Sequence, residues 1–304
     1  MDGIGLGAND PETNPLARAK MPNLDAMLGG RSLLKESAPF IGERATLLGI
    51  DPSVGVDGLP QSATGQAMLL TGVNVSAEIG GHYGPKPNPA VAAHLKNGTL
   101  FSRFVKAGRK AALLNAYPPG YFKGIDSGKR IYSSIPMAVT NAGLKLFTQD
   151  DLSDGRALSA DFTGEGWRTF LGFPDTVVVK PQEAGHKLVS LAMEYDFSLF
   201  EYWASDYAGH KQQMENAIAQ MESFDRVLGG VMEAMNDELL VLVTSDHGNM
   251  EDMSTRRHTD AMVPALVIGE KKARGEFTRG MTDVTDVAPA ILRCVVEYGS
   301  SATI

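Results

Sequence analysis

Short apolar runs alternate with longer stretches of helical spacing along the chain. Four runs predict buried strands because they are short, apolar and partly β-branched or aromatic, namely residues 110–115, 197–202, 239–243 and 263–268. Helices are predicted over 99–107, 211–235 and 286–296. The long stretch 211–235 repeats apolar residues every three or four positions, which is typical of a helix that packs on a core. Gly108 marks the end of the first helix, and Pro289 suits the first turn of the last.

This alternation predicts an α/β fold with a mainly parallel central sheet that helices cover on both faces. The chain has 304 residues, 43% of them hydrophobic, which is enough for one large α/β domain and a modest insertion. Residues 116–186 contain many turn-forming prolines and glycines, beginning with Pro118-Pro119-Gly120. We therefore predict a catalytic core formed by residues 1–115 and 187–304 and a small inserted cap formed by 116–186.

Potential metal ligands follow two of the predicted strands. Asp246 and His247 come after the run 239–243, and open α/β sheets place their ligands at the carboxyl ends of strands. Asp206 and His210 follow the run 197–202 and are four residues apart, so that on a helical turn both project to one side. A carboxylate and an imidazole so placed can share a zinc or manganese ion. Either pair alone is more often a hydrogen-bonded loop or a solvated helix start.

A candidate nucleophile, Ser62, lies where a loop opens a predicted helix. A serine in this position is most often an N-cap. The backbone N–H groups and the dipole of a helix start also favour a phosphate. Ser62 has no base beside it in the sequence, but metal coordination can activate a hydroxyl without one. At the start of the chain Asp2 precedes a glycine-rich turn, where aspartate usually only shapes the turn.

In this order the motifs resemble the alkaline phosphatase superfamily, in the branch of cofactor-independent phosphoglycerate mutase and phosphopentomutase. The resemblance spans nearly the whole chain. It rests on Asp2-Gly3, on Ser62 three residues before Gly65, on Asp206 with Gly209-His210, on Asp246-His247-Gly248, and on His258-Thr259 before Val263-Pro264.

The resemblance implies an alkaline phosphatase-like fold and a centre with two divalent metal ions, Mn²⁺ or Zn²⁺. One ion would be bound by Asp206, His210 and His258. The second would be bound by Asp2, Ser62, Asp246 and His247. Ser62 would be the nucleophile that forms a phosphoserine intermediate with a small phosphate ester. Thr64 is a reserve nucleophile, disfavoured because it lies one residue rather than three before Gly65.

The insertion is much shorter than the resemblance requires. The mutases carry a large inserted domain, whereas positions 62 and 206 leave only 143 residues between them. The function therefore stays open between a phosphomutase and a phosphatase, and the small cap slightly favours a hydrolase. A phosphodiesterase or phosphonate hydrolase of the same superfamily is an alternative. A non-catalytic metal-binding protein is disfavoured because a structural site would be closed and would not need Ser62.

The amino-acid composition limits the classes of molecule that the protein is expected to bind. The net charge of −8 and pI of about 5.3 argue against a nucleic-acid partner, because no basic surface is available. No apolar stretch reaches membrane-spanning length, and no signal pattern opens the chain. Cys294 lies in an apolar run and is predicted to be buried in a reducing compartment. We predict a cytoplasmic enzyme with a small phosphorylated substrate, and the oligomeric state stays open.

The position of Asp2 raises one further expectation. In the related fold the opening aspartate leaves the carboxyl end of a central strand, but here only Met1 precedes it. A residue at a chain end frays when nothing upstream pairs it into a sheet. The expectation is that the coding start lies upstream, or that this form binds its second metal weakly.

Overall fold

The computed structural model describes the backbone of residues 1–298. The strands are β1 (Phe40–Ile41), β2 (Ala45–Ile50), β3 (Ala111–Leu113), β4 (Phe197–Leu199), β5 (Val241–Thr244) and β6 (Val263–Ile268). The helices are α1 (Pro15–Arg18), α2 (Pro22–Met27), α3 (Ser62–Thr71), α4 (Val75–Ile79), α5 (Pro89–Lys96), α6 (Leu100–Lys106), α7 (Pro119–Asp126), α8 (Ser134–Asn141), α9 (Gln149–Ser153), α10 (Glu165–Thr169), α11 (Pro181–Ala192), α12 (Ala204–Lys211), α13 (Met214–Ala234), α14 (Lys271–Thr278) and α15 (Val287–Tyr298).

The strands form two sheets. The larger has the order β1-β2-β6-β5, and every neighbouring pair in it is antiparallel. Strands β3 and β4 form a separate parallel pair. The α/β class stands, but the predicted mainly parallel central sheet requires correction. Apolar runs report burial on both faces of a strand and carry no information about its direction, so the antiparallel contact of β5 with β6 could not be seen in the sequence.

Helices cover both faces of the larger sheet, as expected. Side chains alternate along β6, as strand geometry requires. Leu266 and Ile268 join a cluster with apolar residues of α11 and α13, whereas Val263, Ala265 and Val267 join a second cluster with residues of α3 and α15. The sheet is therefore the middle of three layers.

The predicted helices are present with small shifts. Thr99 caps α6 by accepting a hydrogen bond from Ser102 N, and Gly108 follows the helix with φ of +70°. The stretch 211–235 contains the last residue of α12 and the whole of α13, and the two helices are separated because Gln212 adopts a left-handed conformation with φ of +52°. The predicted helix 286–296 corresponds to α15, and Cys294 is buried in it as predicted.

Residues 116–186 contain helices α7 to α10. Ala116, Ala157 and Trp167 form a small cluster of their own, while Ile135 and Ala138 of α8 belong to the same core cluster as α3. The hydroxyl of Ser134 donates to the carbonyl of Ala63 at 3.0 Å, so this segment contacts the helix that carries Ser62. None of the helices in the described residues is both long and apolar enough to cross a membrane.

Candidate metal centre

Three polar side chains converge on the imidazole of His247, which follows β5. Its Nε2 lies 2.9 Å from Ser62 Oγ, 3.2 Å from Asp2 Oδ1 and 3.7 Å from Asp246 Oδ2. Both His247 and Asp246 are almost fully buried, at 0% and 1% exposure. Burial of two carboxylates beside one imidazole is costly unless a cation or protons balance the charge.

A second group lies on α12 and on the loop that precedes β6. Asp206 Oδ2 is 3.2 Å from His210 Nε2, and Asp206 Oδ1 is 3.7 Å from His258 Nε2. The two Nε2 atoms of His210 and His258 are 3.2 Å apart. The i to i+4 spacing of Asp206 and His210 therefore places both on one side of α12.

The two groups form one continuous site. Ligand atoms of Asp2, Asp246 and His247 lie within 4.8 Å of one another, and so do those of Asp206, His247 and His258. The rings of His247 and His258 stack with centroids 3.7 Å apart. All seven predicted residues are thus brought together, with His247 between the two groups. His210 stands at the rim, and its side chain is 42% exposed.

Hydrogen bonds fix the tautomers of two histidines. Nδ1 of His258 donates to the carbonyl of Pro60 at 2.8 Å, and Nδ1 of His210 donates to the carbonyl of Arg256 at 2.7 Å. A carbonyl oxygen can only accept, so both Nδ1 atoms carry a proton. In the neutral rings the facing Nε2 atoms then present lone pairs to each other. A cation between them removes this repulsion, and outer hydrogen bonds of this kind are typical of metal-ligating histidines.

The charge balance of the site also fits a cation. Burial, reinforced by Asp246, raises the pKa of Asp2 to about 7. Burial lowers the pKa of His247, but the charges of Asp246 and Asp2 outweigh burial and raise it to about 10. Burial, then Asp2 and Asp246, raises the pKa of Glu201 to about 8. The pKa values of the two carboxyl groups rise because burial and neighbouring carboxylates disfavour their charged form, and that of the imidazole rises because the same carboxylates stabilise a positive charge. The donor set therefore fits divalent cations.

Ser62 is the first residue of α3, and Gln61 occupies the N-cap position. The interpretation of Ser62 as an N-cap is therefore wrong, and its hydroxyl is directed to His247 instead. Gly65 allows this close approach, because a Cβ atom there would lie 2.6 Å from the carbonyl oxygen of Asp246. Thr64 differs, since its hydroxyl donates to Gln61 O at 3.1 Å and accepts from Tyr83 N at 3.2 Å.

Three buried side chains beside the site were not predicted. Gln66 Nε2 donates to Asp246 Oδ2 at 3.2 Å, and Asn249 Nδ2 donates to Asp206 Oδ1 at 2.6 Å. Glu251 accepts from Gly5 N and Asn249 N, each at 2.8 Å, and from the hydroxyl of Thr259. Glu251 thereby ties together the segments that carry Asp2, His247 and His258. Its only sequence signal is proximity to His247, because nothing in the local pattern shows that it is buried.

Known proteins share both the sequence features and the fold. The sequence profile of the Metalloenzyme superfamily matches residues 175–296. The 2,3-bisphosphoglycerate-independent phosphoglycerate mutase of Desulforudis audaxviator is 34% identical over 128 residues, which are 38% of this chain and 25% of that protein. The mutase of the same description from Thiobacillus denitrificans is 34% identical over 150 residues, 43% of this chain and 28% of that protein. The chain thus spans about a quarter of the length of the curated relatives it matches.

A solved structure shows the same fold over almost the whole chain. The PH0037 protein from Pyrococcus horikoshii aligns with a TM-score of 0.55 and 15% sequence identity, and the alignment covers 97% of this chain and 94% of that one. The likeness to metalloenzymes rests on the sequence matches, which are independent of this structural alignment. They confirm that the chain resembles the Metalloenzyme superfamily and the 2,3-bisphosphoglycerate-independent phosphoglycerate mutases.

Proposed function

We propose that the protein is a two-metal phosphoryl-transfer enzyme that acts on a small phosphate ester through a phosphoserine at Ser62. The observation that carries the proposal is the position of Ser62 Oγ at the start of α3, 2.9 Å from His247 Nε2 and beside two groups of metal-ligand side chains. A hydroxyl in this place is not required by a purely structural metal site.

The ligands divide into two sets in this proposal. Asp206, His210 and His258 bind one divalent ion, and Asp2, Ser62, Asp246 and His247 bind the other. Bound ions of this kind lower the pKa of a coordinated hydroxyl and neutralise charge on phosphoryl oxygens. Manganese and zinc both suit a set of imidazoles and carboxylates.

The start of α3 positions the phosphoryl group. The N–H of Thr64 donates to the carbonyl of Tyr83 at 3.0 Å and is therefore occupied. The backbone N–H groups of Ser62 and Ala63 are the ones that would donate hydrogen bonds to a bound phosphoryl group. The helix dipole adds a favourable potential at the same place. We propose that residues 116–186 act as the cap over this position, since α8 contacts α3 through Ser134 and Ala63.

The first chemical step forms one bond and breaks one. Ser62 Oγ attacks phosphorus while the bond between phosphorus and the leaving oxygen of the ester breaks. The hydroxyl proton of Ser62 passes to solvent, and the leaving oxygen takes up a proton as the alcohol is released. In the second step the oxygen of water, or a different hydroxyl of the alcohol if it is still bound, attacks phosphorus while the bond between phosphorus and Ser62 Oγ breaks. The attacking hydroxyl loses a proton and Oγ takes one up, which regenerates Ser62 and gives inorganic phosphate or an isomeric ester.

The proposal is tested with Ser62→Ala in the presence of manganese or zinc. We expect hydrolysis of p-nitrophenyl phosphate to fall by about 10³-fold or more, as for loss of a covalent nucleophile. Intact-mass analysis and phosphorus NMR of the parent should detect one phosphoserine, which the variant lacks. The product spectrum with a panel of phosphate esters then separates phosphatase from mutase activity.

Ser102→Ala is the matched control, because Ser102 has similar burial in the first turn of α6, with 7% exposure against 6% for Ser62. It should retain activity. Metal-independent activity of the parent, or equal activity of Ser62→Ala and Ser102→Ala, would refute the assignment.

A further inference from the structure

An open pocket of about 480 Å³ lies beside the start of α3. Its walls are formed by residues 57–59 and Gln61, which precede α3, and by residues 81–84, which follow α4. A volume of this size is typical of sites that bind small molecules. The pocket is next to the candidate nucleophile, because Gln61 is the residue before Ser62.

Both loops of the pocket are held against the candidate catalytic residues. In the first loop, the carbonyl of Pro60 accepts a hydrogen bond from Nδ1 of His258 at 2.8 Å. In the second loop, the backbone of Gly84 packs on the nucleophile, since a Cβ atom there would lie 3.2 Å from Ser62 N. A substrate whose phosphoryl group contacts Ser62 can therefore extend into the pocket.

His82 braces the pocket but offers no free ring nitrogen to a ligand. Its Nε2 donates to the carbonyl of Val56 at 3.2 Å, because a carbonyl can only accept, and its Nδ1 lies 3.0 Å from Ser76 Oγ. Burial lowers the pKa of His82, so the ring is neutral near neutral pH and Nδ1 accepts from the Ser76 hydroxyl. His82 therefore supplies no positive charge to the pocket.

The polar groups of the lining that remain free are mainly acceptors. Asp57 is exposed, and within the described residues its carboxylate has no ion-pair or hydrogen-bond partner. Gln61 donates through Nε2 to the carbonyl of Leu59 at 3.4 Å, which leaves its Oε1 free to accept. Tyr83 is 42% exposed and adds an aromatic ring to the wall. These groups suit a ligand that donates hydrogen bonds.

No cationic side chain offsets the charge of Asp57. Lysine and arginine are absent from the described residues that line the pocket. The nearest lysine along the chain, Lys86, donates to the carbonyl of Ile131 at 3.2 Å. A cationic group in the pocket is therefore attracted by Asp57, and an anionic group is repelled.

We propose that the pocket binds the alcohol part of the substrate and selects an alcohol that carries an ammonium group together with hydroxyls, such as an amino sugar. This inference rests on the proposed phosphoryl transfer at Ser62. The ammonium group donates to the carboxylate of Asp57 and to Oε1 of Gln61, and the ring of Tyr83 adds a cation–π contact. Esters whose alcohol part carries a carboxylate are disfavoured.

The test compares three phosphate esters of similar size whose alcohol parts differ in charge. They are glucosamine 6-phosphate, glucose 6-phosphate and 6-phosphogluconate, and kcat/KM is measured with manganese relative to p-nitrophenyl phosphate in the same sample. We expect kcat/KM to fall in this order by about five-fold per step, as for a pair of charges about 4 Å apart in water. The differences should shrink at an ionic strength of about 1 M, because salt screens exposed charges.

Substitution of Asp57 separates its charge from other causes of selectivity. Asp57→Asn should remove the preference for the ammonium ester, and Asp57→Lys should reverse the order of the three esters. Asp175→Asn is the matched control, because Asp175 is also an exposed aspartate but does not line the pocket, and it should keep the order of the parent. The proposal is overturned if the parent shows no preference, or if Asp57→Lys keeps the order of the parent.

Ligand-detected NMR with glucosamine, glucose and gluconate tests the pocket without catalysis. If the parent hydrolyses none of the esters, including p-nitrophenyl phosphate, the proposed function fails and the pocket is judged by this binding alone. Stronger saturation transfer to glucosamine than to glucose in the parent, and equal transfer in Asp57→Asn, would support the pocket. Equal transfer to the three sugars in the parent would overturn it.

Discussion

His247 contributes to both candidate metal groups, whereas His210 contributes to one from the rim. His247 is fully buried and within 3.7 Å of Asp2, Asp246 and Ser62, while the side chain of His210 is 42% exposed. Although both are histidines, His247 is therefore expected to contribute more to metal affinity than His210.

We expect His247→Ala to abolish binding of both ions and His210→Ala to weaken only one. The reason is that His247 is a ligand of the second ion, and its ring also lies within reach of Asp206 and stacks on His258, which bind the first. Metal content by mass spectrometry and titration calorimetry with manganese measures the stoichiometry. Equal loss in the two variants would contradict the division into two groups, and His186→Ala, on the exposed face of α11, is the control.

Glu251 is predicted to position the metal ligands without binding a metal itself. The carboxylate of Glu251 accepts hydrogen bonds from three donors. In Glu251→Gln the NH₂ group of the new amide must face one of these donors. We therefore expect a loss of about 2 kcal/mol in the free energy of unfolding. Manganese affinity should fall while the stoichiometry stays unchanged. Chemical denaturation and calorimetry measure the two effects.

The control for this variant is Asp252→Asn, which changes a partly exposed neighbour whose side chain accepts from the N–H and the hydroxyl of Ser254. A variant Glu251→Gln with the stability and metal affinity of the parent would show that the contacts to Gly5, Asn249 and Thr259 do not support the site.

At the scale of elements, α11 and α13 approach each other at glycine. A Cβ atom on Gly185 would lie 2.1 Å from the carbonyl oxygen of Val227, and one on Gly230 would lie 2.0 Å from that of Gln182. Backbone atoms cannot move aside as the end of a flexible side chain can. The closeness of these helices therefore depends on the absence of side chains at the crossing.

Gly185→Ala should destabilise the protein by about 1–3 kcal/mol, the usual cost of overpacking. Gly275→Ala in α14 is the matched control, because a Cβ atom there meets nothing within 4 Å and alanine favours a helix. The midpoint of denaturant unfolding measures both. If the two variants have equal midpoints, the helices can separate without cost.

Four of the six strands in the described residues were predictable from the sequence, but β1, β2 and the direction of the strands were not. The apolar runs located β3, β4, β5 and β6, and the ligand motifs at strand ends followed from the same runs. The antiparallel pairing of β5 with β6 depends on contacts between distant segments, so the local sequence of either strand does not indicate it. Glu251 was missed for the same reason, since its partners Gly5 and Thr259 lie on other segments.

At the scale of the whole molecule, the candidate site joins segments from both ends of the sequence. Asp2 contacts His247, and Ser62, Asp206 and His258 come from three further segments. Ligands that bind only the folded state stabilise it by mass action, by about 2.7 kcal/mol at a concentration one hundred times Kd.

Metal removal should therefore lower the thermal midpoint. We expect a chelator to reduce it in the parent and to leave His247→Ala unchanged, because that variant has lost the linked site. Differential scanning calorimetry with manganese, with chelator and with manganese restored measures the shift. Identical midpoints of the parent in all three conditions would show that no cation contributes to stability.

The separation of Asp2 from His247 along the chain also has a consequence for how the protein matures. The donors of the centre are scattered over loops that close only when distant segments meet, and closing long loops slows folding. An unfolded chain offers no preformed cage to a cation. Loading with manganese or zinc should accordingly be the last event of biogenesis, and a nascent chain should not capture the ion before the segment that carries His258 has been synthesised.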